Sequence, residues 1–318
     1  MRVAFFGSTP FSCLIFKALW ESHHEVVAVV TQPDQPAGRS MALCPTAMCQ
    51  HVESAGVPVL KPAKLRSNPA FRAELMEHQP EAFMVASYGR IISKKVLDLT
   101  EFPLNVHPSS LPHLRGASPV RTSLLQGLRE TECCIMRMTP RLDDGDVMLR
   151  EPFTIESDWN FAETITHLGE VGGELAVKAL DQAADGSATF TPQDHQSATH
   201  STMYTRDDTV IDWSRTATGV KDFVRAWDPD WGALTGLPCQ KRFKLWRVAV
   251  QDPPQGTPPP KPGVIAAVTR KAFWVGCGEG YVRVLEVQPE SKPRMPAGSF
   301  LAGNKLEVGD QLGTDCGM

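Results

Sequence analysis

Hydrophobic residues in the first half of the chain form short continuous runs. The runs Arg2–Phe6, Val26–Val30 and Ala82–Ala86 predict strands, because a strand covered on both faces has no polar side. Between the first two, the stretch Pro10–Ser22 spaces its apolar residues three and four apart, which predicts an amphipathic helix. Strands of this kind that alternate with helices predict an α/β domain with a mainly parallel sheet.

The same pattern continues to about residue 190. Further strands are predicted at Val57–Leu60, Leu104–His107 and Thr131–Thr139, and further helices near Pro45–Ser54, Pro69–Glu77, Ser93–Leu97, Pro119–Leu128 and Phe161–Ala184. Glycines, including Gly172 and Gly173, interrupt the last of these helices, and Asp185-Gly186 provides its stop. The polar stretch Pro192–Thr202 then predicts a linker.

Beyond this stretch the pattern changes to short strands. After a helix near Thr218–Ala226, strand-like segments follow at Arg242–Val250, Gly263–Val268, Phe273–Gly276 and Tyr281–Val287. Short strands at this spacing predict a small β-barrel or sandwich. We therefore expect two domains in the 318 residues, at 1–190 and 207–311, joined by a linker at 191–206.

Composition excludes several classes of protein. Hydrophobic residues make up 42% of the chain without a long apolar run or a basic leader, which predicts a soluble, cytoplasmic protein. The eight cysteines lack the paired spacings of a zinc site or a disulfide scaffold, so reduced thiols are expected. A net charge of −4 argues against a protein that coats nucleic acid, although the chain from Asp207 on is relatively basic.

Candidate chemistry is concentrated where two predicted strands end. Asn105 and His107 are two apart at a strand end, so their side chains share one face of the sheet. A second strand is followed by aspartates at 143, 144 and 146 around Gly145. Ligands of such sheets bind beyond the carboxyl ends of the strands, so these groups are expected at one spot.

An amide, an imidazole and a carboxylate together suit acyl transfer to an amine. Attack on a formyl carbon makes an oxyanion and a cationic nitrogen, which need hydrogen-bond donors and a proton acceptor. From these residues alone, Asn-x-His also fits a capping element, and Asp-Asp-Gly-Asp fits an ordinary turn. The turn Gly7–Pro10 lacks the dinucleotide-binding fingerprint.

Eight segments in order resemble the methionyl-tRNA formyltransferase family, and they run through nearly the whole chain. They are VAFFGSTPFS, VVAVVTQPDQPAGR, VASYGRII, NVHPSSLPHLRGASPV, RLDDGDVML, IDWSRTATGVKDFVRAWDP, KLWRVAV and LEVQPESKPRMPAGSFLAG. The resemblance implies a Rossmann-like formyltransferase domain followed by a smaller C-terminal β-barrel that resembles an OB-fold. It also implies that Asn105, His107 and Asp143 are catalytic. The residues implied for folate binding are Tyr88, Gly89, Ser109, Ser110, Leu111 and Pro112.

The resemblance further implies the reaction and its partners. A formyl group from the co-substrate 10-formyltetrahydrofolate would pass to the free amine of methionyl-initiator tRNA, in translation initiation. Asn105 and His107 would stabilise the oxyanion, while Asp143 would polarise His107 and assist proton transfer. No metal would be needed, no membrane is implied, and we expect a monomer.

A transfer RNA partner requires cations on the second domain. Four cations of the second domain are predicted to contact the tRNA. Arg39, the only cation of a loop in the first domain, is predicted to be a fifth contact. The four are Lys241, Arg242, Lys244 and Arg247, which surround Phe243 and Trp246. A solvated barrel strand with buried aromatics is the alternative interpretation. A sugar-amine formyltransferase and a non-catalytic folate- or tRNA-binding protein are the alternative functions.

Overall fold

The computed structural model describes residues 1–37, 42–237 and 242–313. Its strands are β1 (Arg2–Gly7), β2 (Glu25–Val30), β3 (Gln35–Ala37), β4 (Ala42–Cys44), β5 (Val59–Leu60), β6 (Ala82–Ala86), β7 (Phe102–His107), β8 (Arg115–Gly116), β9 (Glu130–Arg137), β10 (Val147–Thr154), β11 (His200–Ser201), β12 (Ala233–Gly236), β13 (Arg242–Val250), β14 (Ile265–Val268), β15 (Phe273–Gly276), β16 (Tyr281–Pro289) and β17 (Met295–Pro296). Its helices are α1 (Pro10–Trp20), α2 (Ala47–His51), α3 (Pro69–Glu77), α4 (Lys94–Leu97), α5 (Pro119–Leu125), α6 (Phe161–Asp185), a 3₁₀ turn (Arg206–Thr209), α7 (Ala217–Ala226) and α8 (Ala297–Gly303).

A seven-stranded sheet organises the first part of the chain, in the order β10-β9-β7-β6-β1-β2-β5. The five strands from β7 to β5 run parallel, β9 pairs with β7 in the antiparallel sense, and β10 pairs with β9 in the antiparallel sense. The central strands β1 and β6 are almost entirely buried, as their continuous apolar runs predict. The expected Rossmann-like α/β fold is confirmed.

The glycines of α6 do not interrupt it, contrary to the prediction, because α6 is continuous over Phe161–Asp185. A Cβ atom on Gly173 would lie 2.7 Å from the Cβ of Ala18, and one on Gly172 would lie 2.9 Å from a methyl carbon of Val106. The glycines therefore let α6 lie directly against α1 and the sheet. Tight packing offsets the low helix propensity of glycine.

Two further elements differ from the sequence prediction. The strand β10 was not predicted, since its second half is exposed and lacks regular alternation of apolar and polar residues. Part of the predicted linker is packed, because β11 pairs with β8 and the side chain of Gln193 is buried. The polar composition of this stretch predicted an exposed linker. A polar side chain can nevertheless be buried where hydrogen bonds to other groups satisfy it.

An antiparallel sheet organises the last part of the chain, in the order β12-β13-β16-β15-β14 with β17 beside β16. Bridges from Gln311 to Val264 and from Gly313 to Gly236 link both ends of this sheet through one segment. The sheet thereby closes around a core that includes Phe243, Phe273 and Phe300, as a β-barrel prediction requires.

The chain forms two compact units. The first comprises Met1–Pro119, Glu130–Thr154 and Ile165–Thr202, and the second comprises Val120–Arg129, Ile155–Thr164 and the chain from Met203 on. None of the helices in the described ranges has the length and apolar character needed to cross a bilayer.

A buried carboxylate joins two segments of the second unit. Asp222 is 3% exposed and accepts hydrogen bonds from Arg225 Nε at 2.7 Å and from Arg129 at 3.1 and 3.2 Å. Burial lowers the pKa of the Arg225 guanidinium, an effect that Asp222 opposes. Arg225, whose side chain is 6% exposed, therefore depends on Asp222 for charge compensation.

We expect Asp222→Ala to destabilise the second unit by about 3–5 kcal/mol, because it leaves Arg225 buried without its counter-ion. Calorimetric unfolding of the full chain measures this as a lower transition midpoint. Asp207→Ala, at an exposed carboxylate, is the matched control and should stay within about 0.5 kcal/mol of the parent. Equal midpoints for the two variants would contradict the assignment.

Candidate active site

Strand β7 carries Asn105 and His107 at its carboxyl end, in the middle of the sheet. Asn105 pairs with Val85 on one side and Met136 on the other, and His107 pairs with Cys134. Both side chains are nearly buried, yet the Asn105 amide makes no hydrogen bond to any residue in the described ranges. A buried amide with unused donors is available to a ligand.

The imidazole of His107 lies between two oxygen atoms. Its Nε2 is 3.1 Å from the carbonyl oxygen of Leu114, and its Nδ1 is 3.7 Å from Oδ2 of Asp143. A carbonyl oxygen only accepts, so Nε2 carries a proton. The distance between Nδ1 and the Asp143 carboxylate is longer than that of a hydrogen bond.

Asp143, and not Asp144, faces the imidazole. Oδ2 of Asp143 accepts a hydrogen bond of 2.8 Å from the backbone amide of Gly116. The carboxylate of Asp144 is bound elsewhere, by the hydroxyl of Thr139 and by Arg141 at 2.5 Å. Asp143, the carboxylate that the resemblance implies, is therefore the one that the structure brings to His107.

Backbone strain accumulates around this contact. Asp143 has a φ of 49°, Leu114 a φ of 57° and Ser87 a φ of 46°, all in the left-handed region. Non-glycine residues in this region cost about 1 kcal/mol or more each and persist where the surrounding structure holds them. A Cβ atom on Gly145 would lie 1.8 Å from the carbonyl oxygen of Arg137, so only glycine allows this turn to approach β9 so closely.

Gln193 holds the Asp143 turn in place, and the sequence analysis missed it. Its Nε2 donates to the carbonyl oxygens of Asp143 at 3.0 Å and Gly145 at 2.6 Å. Its Oε1 in turn accepts from Nε and Nη2 of the buried Arg115, at 3.1 and 2.7 Å. The sequence carries little signal for this role, because Gln193 lies within a polar stretch 50 residues beyond the turn it contacts.

The residues predicted for folate binding divide into core and surface positions. The ring of Tyr88 is 2% exposed and packs edge-on against Phe6 at 5.7 Å, and burial raises the pKa of its hydroxyl to about 12. Ser109 and Leu111 are also buried, and the Ser109 hydroxyl donates to the His113 carbonyl at 2.7 Å. Accessible surface remains at Gly89, Ser110 and Pro112.

Three of the residues predicted for tRNA binding, Arg242, Lys244 and Arg247, lie on β13. Arg39 and Lys241 lie outside the described residues. Arg242 and Arg247 are exposed, and the two shifts of register at Leu245–Arg247 and Arg247–Val248 place both on the solvent side. The aromatics between them, Phe243 and Trp246, are buried, as the alternative interpretation proposed.

Two cations that the sequence analysis did not single out lie beside Lys244. Burial, followed by the positive charges of Arg206 and Arg294, lowers the pKa of the Lys244 ammonium group. The guanidinium of Arg294 also lies 3.2 Å above the ring centre of Trp246. Arg294 also forms an ion pair with Asp228 at 2.7 Å, which reduces its contribution to the positive field around Lys244 and Arg206. A positive field of this kind favours an anionic partner.

Comparison with known proteins identifies the class to which this fold and site belong. The family model described as formyl transferase matches residues 1–180, and the model described as formyl transferase, C-terminal domain, matches residues 204–305. The chain therefore belongs to the formyl transferase family.

Within this class the full-length relatives are more specific. Methionyl-tRNA formyltransferase from Symbiobacterium thermophilum is 37% identical over 98% of this chain and 95% of its own length. The enzyme of the same name from Citrifermentans bemidjiense is 36% identical over 98% of this chain and 96% of its own length. These relatives confirm the resemblance inferred from the motifs.

A solved structure supports the fold. HypX from Aquifex aeolicus in complex with tetrahydrofolic acid has a TM-score of 0.62, with 18% identity over 97% of this chain and 50% of that chain. At this identity the similarity shows the fold alone.

We predict that Gln193→Ala lowers kcat for formyl transfer by about tenfold or more, because the Asp143 turn loses two of its hydrogen bonds and misplacement by an ångström costs up to about 10²-fold. The KM values should change much less, since Gln193 positions a turn and does not face the accessible surface. Steady-state kinetics on enzyme of verified folded fraction measures both.

Gln196→Ala is the matched control for this prediction, since its side chain is exposed in the same stretch. A loss in Gln193→Ala that disappears when rates are expressed per folded molecule would show a structural role only. That result would remove Gln193 from the positioning of Asp143.

Proposed function

We propose that this protein transfers the formyl group of 10-formyltetrahydrofolate to the free amine of methionyl-initiator tRNA, in the cytoplasm, at the initiation of translation. The observation that carries the proposal is the meeting of His107 and Asp143, 3.7 Å apart, beside the unpaired amide of Asn105. Relatives named for this activity, matched over nearly their full length, support the same acceptor.

In the proposed mechanism the amine lone pair bonds to the formyl carbon, and the carbonyl electron pair moves to oxygen. The Asn105 amide donates to this oxyanion, and the Nε2 proton of His107, held by Leu114 in this structure, would be shared with it. One such donor lowers the barrier by about 3 kcal/mol. Collapse of the oxyanion breaks the bond from the formyl carbon to folate nitrogen and leaves the amine formylated.

Asp143 has two tasks in this scheme, one for each carboxylate oxygen. Oδ2 faces His107 and stabilises positive charge on the imidazole. Oδ1 makes no hydrogen bond within the described ranges, so it is the oxygen able to accept the ammonium proton directly or through water. The proton finally resides on the folate nitrogen that leaves, which balances the reaction.

The proposed folate site uses the positions that remain accessible. Gly89, Ser110 and Pro112 are the contact residues, while Tyr88, Ser109 and Leu111 shape the pocket from beneath it. Gly89 has a φ of 78°, and a Cβ atom there would lie 2.5 Å from Nε2 of Gln32, so the turn after β6 requires glycine at this position. No metal takes part in the proposed transfer.

The proposed division of labour assigns catalysis to 1–190 and tRNA binding to 207–311, with 191–206 between them. Exposed Arg242 and Arg247, with Lys244 and the neighbouring Arg206, supply cations for phosphates. Arg39 and Lys241 complete the proposed tRNA contacts, and the enzyme acts as a monomer. Few cations on a nearly neutral domain give moderate, salt-sensitive binding.

Sugar-amine formyl transfer is the competing function, because its chemistry uses the same three side chains. The match of residues 204–305 to the C-terminal formyl transferase domain favours a tRNA acceptor. An assay that supplies 10-formyltetrahydrofolate with either charged initiator methionyl-tRNA or an amino-sugar nucleotide decides between them. Formylation of the sugar alone would overturn the proposal.

We expect His107→Ala to reduce kcat for methionyl-tRNA formylation by about 10²- to 10³-fold, since it removes an oxyanion donor and the partner of Asp143. Folding should be preserved, as measured by circular dichroism. His113→Ala is the control, because this histidine is exposed in the same loop. Turnover that survives in His107→Ala would refute the assigned role.

Arg247→Ala should raise the dissociation constant for tRNA and reduce the slope of log K against log salt by about 1, as the loss of one phosphate contact does. Binding is measured by filter retention at several salt concentrations. Arg270→Ala removes an exposed cation from a different strand connection and should leave the slope unchanged. Equal slopes for both variants would show that Arg247 does not contact tRNA phosphates, which contradicts a tRNA-binding surface on β13.

A further inference from the structure

Two histidines and an aspartate converge at the end of the sheet opposite to Asn105 and His107. His23 and His24 lie in the turn between α1 and β2, and Asp181 lies in the last turns of α6. The Nε2 atom of His23 is 2.8 Å from Oδ1 of Asp181, and Nε2 of His24 is 3.2 Å from the same oxygen. All three ligand atoms lie within 4.8 Å of one another.

The packing of α6 on α1 creates this cluster. Gly169 approaches Leu14 and Gly173 approaches Ala18, so the two helices lie side by side and run in the same direction. Eight residues beyond Gly173, Asp181 therefore reaches the turn that follows α1. The same glycines that permit the close packing of α6 thus fix the position of the carboxylate.

The two rings are held differently. The side chain of His24 is 1% exposed, its Nδ1 lies 3.1 Å from the α-amino group of Met1, and its Nε2 lies 3.4 Å from the Val177 carbonyl. His24 is thus a fixed ring, and a metal bound at its Nε2 would displace the proton that this atom shares with the Val177 carbonyl. His23 and Asp181 are open to solvent.

We propose that His23, His24 and Asp181 form a binding site for a divalent transition cation, for which Zn²⁺ is the natural probe. Zinc binds imidazole nitrogen and carboxylate oxygen at about 2.0–2.2 Å, which separates neighbouring ligand atoms by roughly 3.3 Å. The observed separations of 2.8 and 3.2 Å from Oδ1 need an opening of only a few tenths of an ångström. Water supplies the remaining ligand.

The choice of metal follows from the ligands. Two imidazoles and one carboxylate suit zinc, nickel and copper, whereas magnesium and calcium prefer sites made of oxygen alone. Both Nε2 atoms lie within 3.2 Å of one carboxylate oxygen, so a single ion could be shared by all three side chains after a small adjustment. The site is separate from the formyl-transfer chemistry, and a bound ion would join α6 to the α1–β2 turn and stabilise the first unit.

The test is a Zn²⁺ titration of the full-length, chelator-treated protein by isothermal calorimetry, in parallel with thermal unfolding. We expect one site and a higher unfolding midpoint with Zn²⁺. His23→Ala and Asp181→Asn should each weaken binding by about tenfold or more. Both residues are solvent-exposed, so these variants retain the fold even if His24→Ala does not.

Two controls make the result decisive. His167→Ala removes another exposed histidine that pairs with a carboxylate, Glu170 at 3.0 Å, and should leave Zn²⁺ affinity unchanged. Cys44→Ser removes an exposed thiol and should also have no effect. Unchanged affinity in both His23→Ala and Asp181→Asn, or a loss in Cys44→Ser instead, would overturn the proposal.

Discussion

The structure of the candidate active site depends on the hydrogen bonds that hold a strained turn against the sheet. Asp143 adopts a left-handed conformation that costs free energy, and it keeps this conformation because neighbouring groups bind it on several sides. The Gly116 amide donates to its carboxylate, and Gln193 donates to its carbonyl oxygen. Without these contacts nothing would hold the carboxylate near His107. The sheet alone would then present only the amide of Asn105 and the imidazole of His107.

The turn belongs to a chain of support that runs away from the chemistry. Gln193 can hold Asp143 and Gly145 because Arg115 occupies its other end, and Arg115 is itself part of β8, which pairs with β11. The stretch 192–202 therefore supports the Asp143 turn in the first unit, a role that its polar composition does not indicate. Buried polar networks of this kind are stable only when every member is satisfied, which ties the geometry of the carboxylate to distant parts of the chain.

Close backbone approach is the second recurring constraint. Gly145 allows the Asp143 turn to contact β9, and Gly173 allows α6 to contact α1. In both places a β-carbon would collide with a neighbour. Glycine therefore costs some local conformational stability but allows the two backbones to approach each other closely. One of these approaches organises the proposed catalytic carboxylate, and the other brings Asp181 to His23 and His24.

The sequence alone determined the features that depend on local pattern. Apolar runs identified β1, β2 and β6, because a doubly covered strand excludes polar residues wherever it lies. The two-residue period of a strand placed Asn105 and His107 on one face, and the ordered motifs identified the family. Only the tertiary structure decided that Asp143 rather than Asp144 meets His107 through space, that Tyr88 is a core residue, and that Gln193 supports the site. These outcomes depend on contacts between residues far apart in the chain, and a local pattern carries no information about which distant group will satisfy a buried polar atom.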